Sequence, residues 1–171
     1  MTISIRRNPT DHCLELGGGS RPMLNPQCRG GNDVCLDVRL CQDEQGNQCV
    51  DIVADLNEPL PLSSNEFDGV FGHFVLEHVS WRKVPQLLVE CHRVLKPGGK
   101  IVMVAPNTEA QMAWIKDNPD GWDGKDAFES MSCVLFGDMD YEANSHKAYF
   151  NPGIATGLFQ AVGFTNIKIQ P

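Results

Sequence analysis

The sequence predicts an α/β fold in which a mostly parallel β-sheet is covered by helices. Short apolar runs alternate along the chain with segments of helical periodicity, and this alternation is typical of parallel strands joined by crossovers. The clearest strand, at 100–105, is continuously apolar over Ile-Val-Met-Val-Ala, as expected for a strand buried on both faces. The run at 13–16 leads directly into three glycines, which indicates a strand ending in a tight turn that a ligand can approach.

A single domain, 1–171, is expected, because 42% hydrophobic and 21% charged residues are typical of a globular protein with a sizeable core. The net charge of −8 argues against a nucleic-acid partner, since the phosphate backbone would be repelled. No membrane partner is expected either, because no apolar stretch approaches the ~20 residues that span a bilayer and residues 1–10 lack an apolar signal core. Seven cysteines without CxxC spacing predict a reducing, cytoplasmic protein with neither disulfides nor a zinc site.

Four strands are predicted before the clear one, each a short apolar run bounded by turn-forming residues. They occupy residues 13–16, 34–37, 49–54 and 67–72. A regular crossover helix is not expected between the first two, so that connection is predicted to be a loop or one helical turn. The reason is a group of helix breakers: Pro22, Pro26, Gly30 and Gly31.

Residues 85–95 are predicted to form a helix, because apolar side chains recur there every three or four positions. Pro85 suits the first turn of that helix. The sequence Lys-Pro-Gly-Gly at 96–99 would then end the helix and turn the chain into the strand at 100–105.

The last third of the chain combines an irregular segment with regular elements. Residues 117–149 contain several glycines and have mixed polarity, and we predict an irregular lid or binding segment there. A helix over 151–162 is indicated by Pro152 in its first turn and Gly163 just after its end. The run 166–170 is predicted to be a sixth strand.

The junction of the first strand with its glycines, together with a spaced acid, indicates a nucleotide-type ligand. Glu15 precedes the glycines at 17–19 by two residues, and Asp37 ends the second apolar run twenty residues after the first glycine. A carboxylate at that distance lies where α/β nucleotide-binding folds hold ribose hydroxyls. Nicotinamide dehydrogenases share this layout, but they need a third glycine opening a helix where this chain has Pro22.

Six blocks together resemble the small class I S-adenosylmethionine-dependent methyltransferases, particularly the bacterial type 11 domains. The blocks are LELGGG (14–19), CLD (35–37), ADLNEPLPL (54–62), FDGVFGHFVLEHV (67–79), RVLKPGGKIVMVAPN (93–107) and AVGF (161–164). The resemblance implies a Rossmann-like, mostly parallel sheet of strand order 3-2-1-4-5 plus a sixth strand. It also implies S-adenosyl-L-methionine as cofactor and S-adenosyl-L-homocysteine as product.

Two departures from the family pattern are expected. The first crossover helix is reduced, and the antiparallel seventh strand is missing because the chain stops at Pro171. A homodimer that covers the exposed sheet edge is therefore an expected partner arrangement. The same departures leave open an alternative function, a non-catalytic S-adenosylmethionine-binding module or partner subunit.

The resemblance implies cofactor contacts at the ends of the first two strands. Glu15 stands where an acidic residue meets the methionine amino group, directly or through water. Gly17, Gly18 and Gly19 would bring backbone close to the methionyl and ribose parts. Asp37 would accept hydrogen bonds from both ribose hydroxyls. Purely structural roles stay open, with Glu15 as a surface acid and Asp37 as a cap.

Further cofactor contacts are implied after the third and fourth strands. Asp55 would accept a hydrogen bond from the adenine exocyclic amine, with the Leu56 N–H facing a ring nitrogen. His73 and Phe74 follow the fourth strand, where the family contacts the methionine end and begins the acceptor site. Asp55 also suits a local role as the cap of the turn at 57–59.

On the acceptor side, the candidates for a base or positioning group are His73, His78, His146 and Tyr149. Glu77 beside His78 suits either a functional role or a capping role. The expected substrate is a small molecule or sugar precursor, because the Asn/Asp-Pro-Pro-Tyr signature of DNA amino-methyltransferases is absent after the fourth strand.

Overall fold

A computed structural model describes residues 10–20, 23 and 33–170, and its centre is a five-stranded parallel sheet. The strands are β1 (Cys13–Leu16), β2 (Val34–Asp37), β3 (Ile52–Val53), β4 (Phe67–His73) and β5 (Leu95–Val104). They lie in the order β3-β2-β1-β4-β5, and all four pairings are parallel. This confirms the predicted order 3-2-1-4-5. The carboxyl ends of all five strands therefore lie along one edge of the sheet.

Helices α1 to α4 and two one-turn 3₁₀ helices accompany the sheet in the described ranges. They are α1 (Val84–Val94), α2 (Thr108–Asp117), α3 (Ala127–Phe136) and α4 (Pro152–Val162), with 3₁₀ helices at Leu76–His78 and Glu142–Asn144. α1 packs against β5 and α4, and α2 packs against α3. The buried side chains of α1 recur every three or four positions, which confirms the helix predicted at 85–95: Val84, Leu87, Leu88, Cys91 and Val94.

The main core lies between the sheet and α1. Leu14, Leu16 and Leu36 from β1 and β2 are fully buried there, together with side chains of α1. The predicted helix at 151–162 is confirmed as α4, whose first turn is capped by the Asn151 side chain accepting from the Ile154 N–H at 2.8 Å. Gly163 ends α4 in the left-handed conformation that glycine adopts at low cost.

β5 begins at Leu95 rather than at 100. Leu95 pairs with Phe67, and regular pairing resumes where Lys100 faces Gly69, so residues 96–99 bulge out of the ladder. The Lys-Pro-Gly-Gly sequence turns the chain as predicted, but it does so within the span of the strand. The third strand is also shorter than the predicted 49–54, because only Ile52–Val53 pairs with β2.

The predicted sixth strand at 166–170 is wrong. These residues have no strand conformation, and four of the five are exposed. A strand needs a hydrogen-bonded neighbour and a buried face, and the described part of the chain provides neither for this run. The reduced crossover helix was predicted for the connection between β1 and β2, most of which lies outside the described residues.

The segment 117–149 is more regular than predicted, since it contains the ten-residue helix α3. The Asp126 side chain caps that helix by accepting from the Glu129 N–H at 2.9 Å, and Gly137 ends it with a φ of 76°. The glycines that indicated irregular structure lie outside the helix, at its borders. In the described ranges, no helix has the length and apolar character needed to cross a membrane.

Candidate functional site

The loop after β1 forms the first wall of the candidate site. β1 is buried throughout and is followed by Gly17, whose φ is +68° and whose N–H donates to the Leu36 carbonyl at 2.8 Å. A Cβ at Gly17 would overlap the Val75 side chain, so glycine lets this loop approach the loop after β4. Gly19 is also left-handed, with a φ of +55°, and among the described residues no atom lies within 4 Å of the place that its Cβ would take.

Asp37, at the end of β2, faces the glycine loop directly. Its Oδ2 accepts from the Gly19 N–H at 3.0 Å, and its Oδ1 accepts from the Arg39 N–H at 3.3 Å. These two bonds leave each carboxylate oxygen with further capacity to accept. The half-buried carboxylate is thus oriented by the backbone while it can still bind a pair of hydroxyl donors.

Glu15 is buried, with 3% of its surface exposed, so the interpretation as a surface acid is wrong. Its Oε1 accepts from the Met23 N–H at 2.5 Å. The carboxylate therefore reaches past the glycines to the backbone of Met23. Gly18 lies between the two left-handed glycines and is half-buried.

Asp55 and Leu56 follow β3, which is the edge strand next to the strand that ends at Asp37. The Asp55 Oδ1 accepts from the Asn57 N–H at 2.9 Å and from the Asn57 Nδ2 at 2.7 Å. These hydrogen bonds hold the pKa of Asp55 below its ordinary value, and the bond from the Asn57 backbone N–H has the largest effect. The predicted turn-capping role is therefore present, and it uses one oxygen of an exposed carboxylate.

The end of β4 presents two rings to the same sheet edge. His73 is half-buried, which lowers its pKa, and its ring centroid lies 4.4 Å from that of Phe74. Phe74 has a φ of +50° and keeps 49% of its surface exposed. A left-handed, exposed aromatic residue directly after a buried strand is typical of a functional position.

A cavity of about 380 Å³ opens beside Phe74, between the 3₁₀ helix at Leu76–His78 and the segment 117–149. His78 and His146 both line this cavity, with ring centroids 5.1 Å apart. The fold therefore brings together two of the predicted acceptor-side histidines. His73 and Tyr149 are not part of the cavity wall; the Tyr149 hydroxyl lies 3.5 Å from an oxygen of Glu109.

Backbone carbonyls orient both cavity histidines. The His78 Nδ1 lies 3.2 Å from the Ser145 oxygen, and the His146 Nδ1 lies 2.9 Å from the Val134 oxygen. A carbonyl can only accept, so Nδ1 is the donor in each ring, and in the neutral form of the ring Nε2 carries the lone pair. Burial lowers the pKa of His78, which favours the neutral ring.

Sequence reasoning placed no specific role on Glu77 and did not identify Gln111. Glu77 is 2% exposed and lines the cavity, and burial raises its pKa to about 7. Among the described residues, Glu77 Oε2 and Gln111 Oε1 are buried without a hydrogen-bond partner. The Glu77-His78 pair was a visible signal, whereas nothing in the local sequence distinguished Gln111.

The segment 117–149 also reaches the end of β2. The Arg39 guanidinium lies over the Tyr141 ring, 3.8 Å from its centroid, and Arg39 is two residues from Asp37. Val38, between them, keeps 44% of its surface exposed. One segment therefore borders both the Asp37 region and the cavity beside Phe74.

Comparisons with known proteins agree with this architecture. Residues 14–103 match the methyltransferase domain family of type 11. The bifunctional biotin biosynthesis protein BioHC of Cellvibrio japonicus is 30% identical over 76% of this chain and 32% of that protein. The demethylmenaquinone methyltransferase of Renibacterium salmoninarum is 33% identical over 56% of this chain and 41% of that protein. The chain thus spans less than half the length of these two relatives.

Solved structures share the fold. A SAM-dependent methyltransferase from Archaeoglobus fulgidus superposes with a TM-score of 0.62 at 19% identity, covering 92% of this chain and 62% of that one. A putative methyltransferase from Bacillus halodurans gives a TM-score of 0.58 at 15% identity, covering 92% and 64%. With the family match over more than half of its residues, the chain belongs to the class I S-adenosylmethionine-dependent methyltransferases and carries a type 11 methyltransferase domain.

Proposed function

We propose that this chain transfers a methyl group from S-adenosyl-L-methionine to a small molecule held in the cavity beside Phe74. The observation that carries the proposal is the position of Asp37, whose carboxylate is bonded to the glycine loop. The same sheet edge leads from that carboxylate to Phe74 and to the cavity. Direct transfer of a group needs a cofactor site and an acceptor site next to each other, and this edge of the sheet could hold both.

The residues present fit the cofactor. Asp37 has the acceptor capacity for two ribose hydroxyls, and the backbone at Gly17, Gly18 and Gly19 has no Cβ to exclude a ligand. Asp55, with the Leu56 N–H, would bind the adenine edge. When bound, the cofactor supplies an electrophilic methyl group on a sulfonium.

Glu15 has a narrower role in this proposal. Its buried carboxylate already accepts from the Met23 N–H, so it would shape the loop around the methionine end as well as attract the amino group. His73 and Phe74 would border that end from β4.

The acceptor would lie against the cavity wall that carries His78 and His146. Each ring presents an Nε2 lone pair, which suits an acceptor with a hydroxyl or amine proton. Small-molecule acceptors are supported by relatives named for demethylmenaquinone and for 2-phytyl-1,4-naphthoquinone, the latter from Synechocystis.

The test is calorimetric titration with S-adenosyl-L-homocysteine. Asp37→Ala should raise the dissociation constant roughly ten- to hundredfold, since hydrogen bonds to a charged group contribute about 1.5–3 kcal/mol. Asp68→Ala is the matched control, because Asp68 lies at the opposite end of β4 and accepts from the His12 N–H and Lys96. It should bind like the unmodified chain.

Three results would contradict the proposal. An unchanged dissociation constant in Asp37→Ala would remove Asp37 from the site. Saturable binding of a nicotinamide dinucleotide, with no heat from S-adenosyl-L-methionine or S-adenosyl-L-homocysteine, would show that the cofactor is a nicotinamide dinucleotide instead. Turnover is then measured with hydroxyl, amine, carboxylate and quinone-derived acceptors. Cofactor binding with no product from any of them would favour the non-catalytic module.

A further inference from the structure

We infer that Glu77, His78 and His146 form a binding site for a divalent transition-metal ion, with Zn²⁺ as the representative ion. One carboxylate oxygen and one nitrogen from each ring lie within 4.8 Å of one another. Two histidines and one carboxylate are a frequent ligand set for zinc and for other first-row metals. Local spacing could not predict this site, since its third ligand comes from a distant segment.

The hydrogen bonds of the two rings match those of metal-bound histidines. Such a histidine usually donates its second ring N–H to a carbonyl or carboxylate, which fixes the tautomer and the ring orientation. Here the carbonyls of Ser145 and Val134 accept from the two Nδ1 atoms. Nε2 is therefore the coordinating atom that each ring can offer.

Glu77 supplies an independent observation. Its side chain is almost completely buried, and its Oε2 has no hydrogen-bond partner in the described part of the chain. A buried carboxylate oxygen without a partner is costly, and a cation beside it would remove that cost. Gln111 Oε1, on the same cavity wall, is a second buried acceptor without a partner.

The backbone holds the ligand-bearing segments together in the absence of any metal. The Glu77 carbonyl accepts from the N–H groups of Lys147 and Ala148, at 2.6 and 3.1 Å. The His146 N–H donates to the Phe136 carbonyl at 2.9 Å. Gly137 is required for this path, because a Cβ there would overlap the Asn144 carbonyl. A preformed set of ligands binds an ion with little loss of chain entropy.

The ligand types select the class of ion. Imidazole nitrogen favours Zn²⁺, Co²⁺, Ni²⁺ or Fe²⁺ over Mg²⁺ and Ca²⁺, which prefer oxygen ligands. Three protein ligands leave coordination positions that face the cavity. If the cavity holds the methyl acceptor, a use that rests on the proposed function, the metal would replace the two rings in their role toward the acceptor proton, because coordination occupies both Nε2 lone pairs. An acceptor oxygen bound to the metal would then lose its proton more easily.

The experiment uses the full protein after a chelator has removed any bound metal. Co²⁺ binding is followed by visible absorption and Zn²⁺ binding by calorimetry. One equivalent should bind, without the charge-transfer band of thiolate ligands. Glu77→Gln and His146→Asn should each weaken binding at least about a hundredfold, because even outer-shell partners contribute 10–100-fold to metal affinity.

His146→Asn is chosen because the asparagine amide can keep the hydrogen bond to the Val134 carbonyl while the Nε2 ligand is lost. His92→Asn is the control, since His92 lies on α1 with its ring packed against Phe164. It should bind metal like the unmodified chain. Thermal unfolding separates ligand loss from misfolding: Zn²⁺ should raise the Tm of the unmodified chain but not that of a folded Glu77→Gln variant.

No uptake of Co²⁺ or Zn²⁺ would overturn the inference. Equal uptake by the unmodified chain, Glu77→Gln and His146→Asn would also overturn it, since the metal would then be bound elsewhere. Titration of the same preparations with S-adenosyl-L-homocysteine keeps the two proposals apart. Nucleotide binding without metal uptake removes only the metal site, and metal uptake without nucleotide binding removes only the methyl-transfer proposal.

Discussion

At the scale of single residues, the site depends on glycines that have different structural reasons for being glycine. Gly17 and Gly19 both have positive φ, but only Gly17 has a neighbour, Val75, in the space that a Cβ would fill. Gly17 therefore joins the loops after β1 and β4, whereas Gly19 donates its N–H to Asp37.

Gly17→Ala should destabilise the chain more than Gly19→Ala. Each alanine costs about 1–2 kcal/mol for the left-handed conformation, and at Gly17 the overlap with Val75 adds about 1–3 kcal/mol of overpacking. Urea unfolding of the two variants measures the difference in the free energy of unfolding. Equal losses would show that the loops after β1 and β4 do not need this close approach.

The residue scale also shows where sequence patterns were sufficient. Local sequence features were enough to place Glu15, Asp37 and the glycines relative to their strands. These features are short apolar runs and the glycine or acidic residues at the ends of those runs. The burial of Glu15 could not be placed in this way, because it depends on the tertiary structure, in which the Glu15 carboxylate accepts from the Met23 N–H. The sequence did not indicate Gln111 either, because α2 carries no motif that distinguishes this residue.

At the scale of elements, α1 holds the connection between β3 and β4 through one ion pair. The Glu90 carboxylate accepts from Arg93 Nε at 2.8 Å and from Nη2 at 2.7 Å, and it also accepts from the Leu60 N–H at 2.9 Å. Arg93 donates in turn to the carbonyls of Leu60 and Leu62. The two side chains thus act as partners for a loop that has no strand pairing of its own.

Glu90→Gln should lower the free energy of unfolding by about 1–2 kcal/mol at pH 7, since it replaces a charge-assisted pair by neutral hydrogen bonds. The Arg93 guanidinium holds the pKa of Glu90 below its ordinary value. The stabilisation is therefore complete above the unfolded pKa, about 4.3, and is lost as the pH falls through the lower folded pKa.

Urea unfolding at pH 7 and at a pH below 4 checks this prediction, with exposed Glu58→Gln as the control. The difference between Glu90→Gln and the unmodified chain should shrink in acid, whereas Glu58→Gln should differ little at either pH. A difference that is the same at both pH values would contradict a role for the Glu90 charge.

At the scale of the whole molecule, the segment 117–149 links the two halves of the candidate site. Tyr141 contacts Arg39 beside Asp37, and His146 contacts His78 on the cavity wall. The segment was predicted to be a lid or acceptor-site element, and that role stays a prediction, as does the homodimer. Through Tyr141 and His146, the segment contacts both the end of β2 and the cavity wall.

Tyr141→Ala should speed proteolytic cleavage within residues 137–145 about two- to fivefold, because an exposed cation–π contact contributes about 0.5–1 kcal/mol to the packing of Tyr141 against Arg39. Tyr141→Phe is the matched control, since it keeps the ring face that Arg39 covers. Limited proteolysis with mass spectrometry measures both rates. Equal acceleration in the two variants would assign the effect to the hydroxyl and not to the ring.

By itself, the sequence determined the helices α1 and α4 and the position of the glycine loop after β1, because apolar periodicity and glycine or proline punctuation act over a few neighbouring positions. The strand order followed from the resemblance to the methyltransferase family and is confirmed, whereas the cofactor contacts stay a prediction. Sequence reasoning failed where structure depends on distant partners. The run 166–170 has strand-like composition but no strand to pair with, and α3 was concealed by the glycines at its borders. Only the tertiary structure decided that His146 would meet Glu77 and His78, because that contact depends on how a long segment folds back over the end of β4.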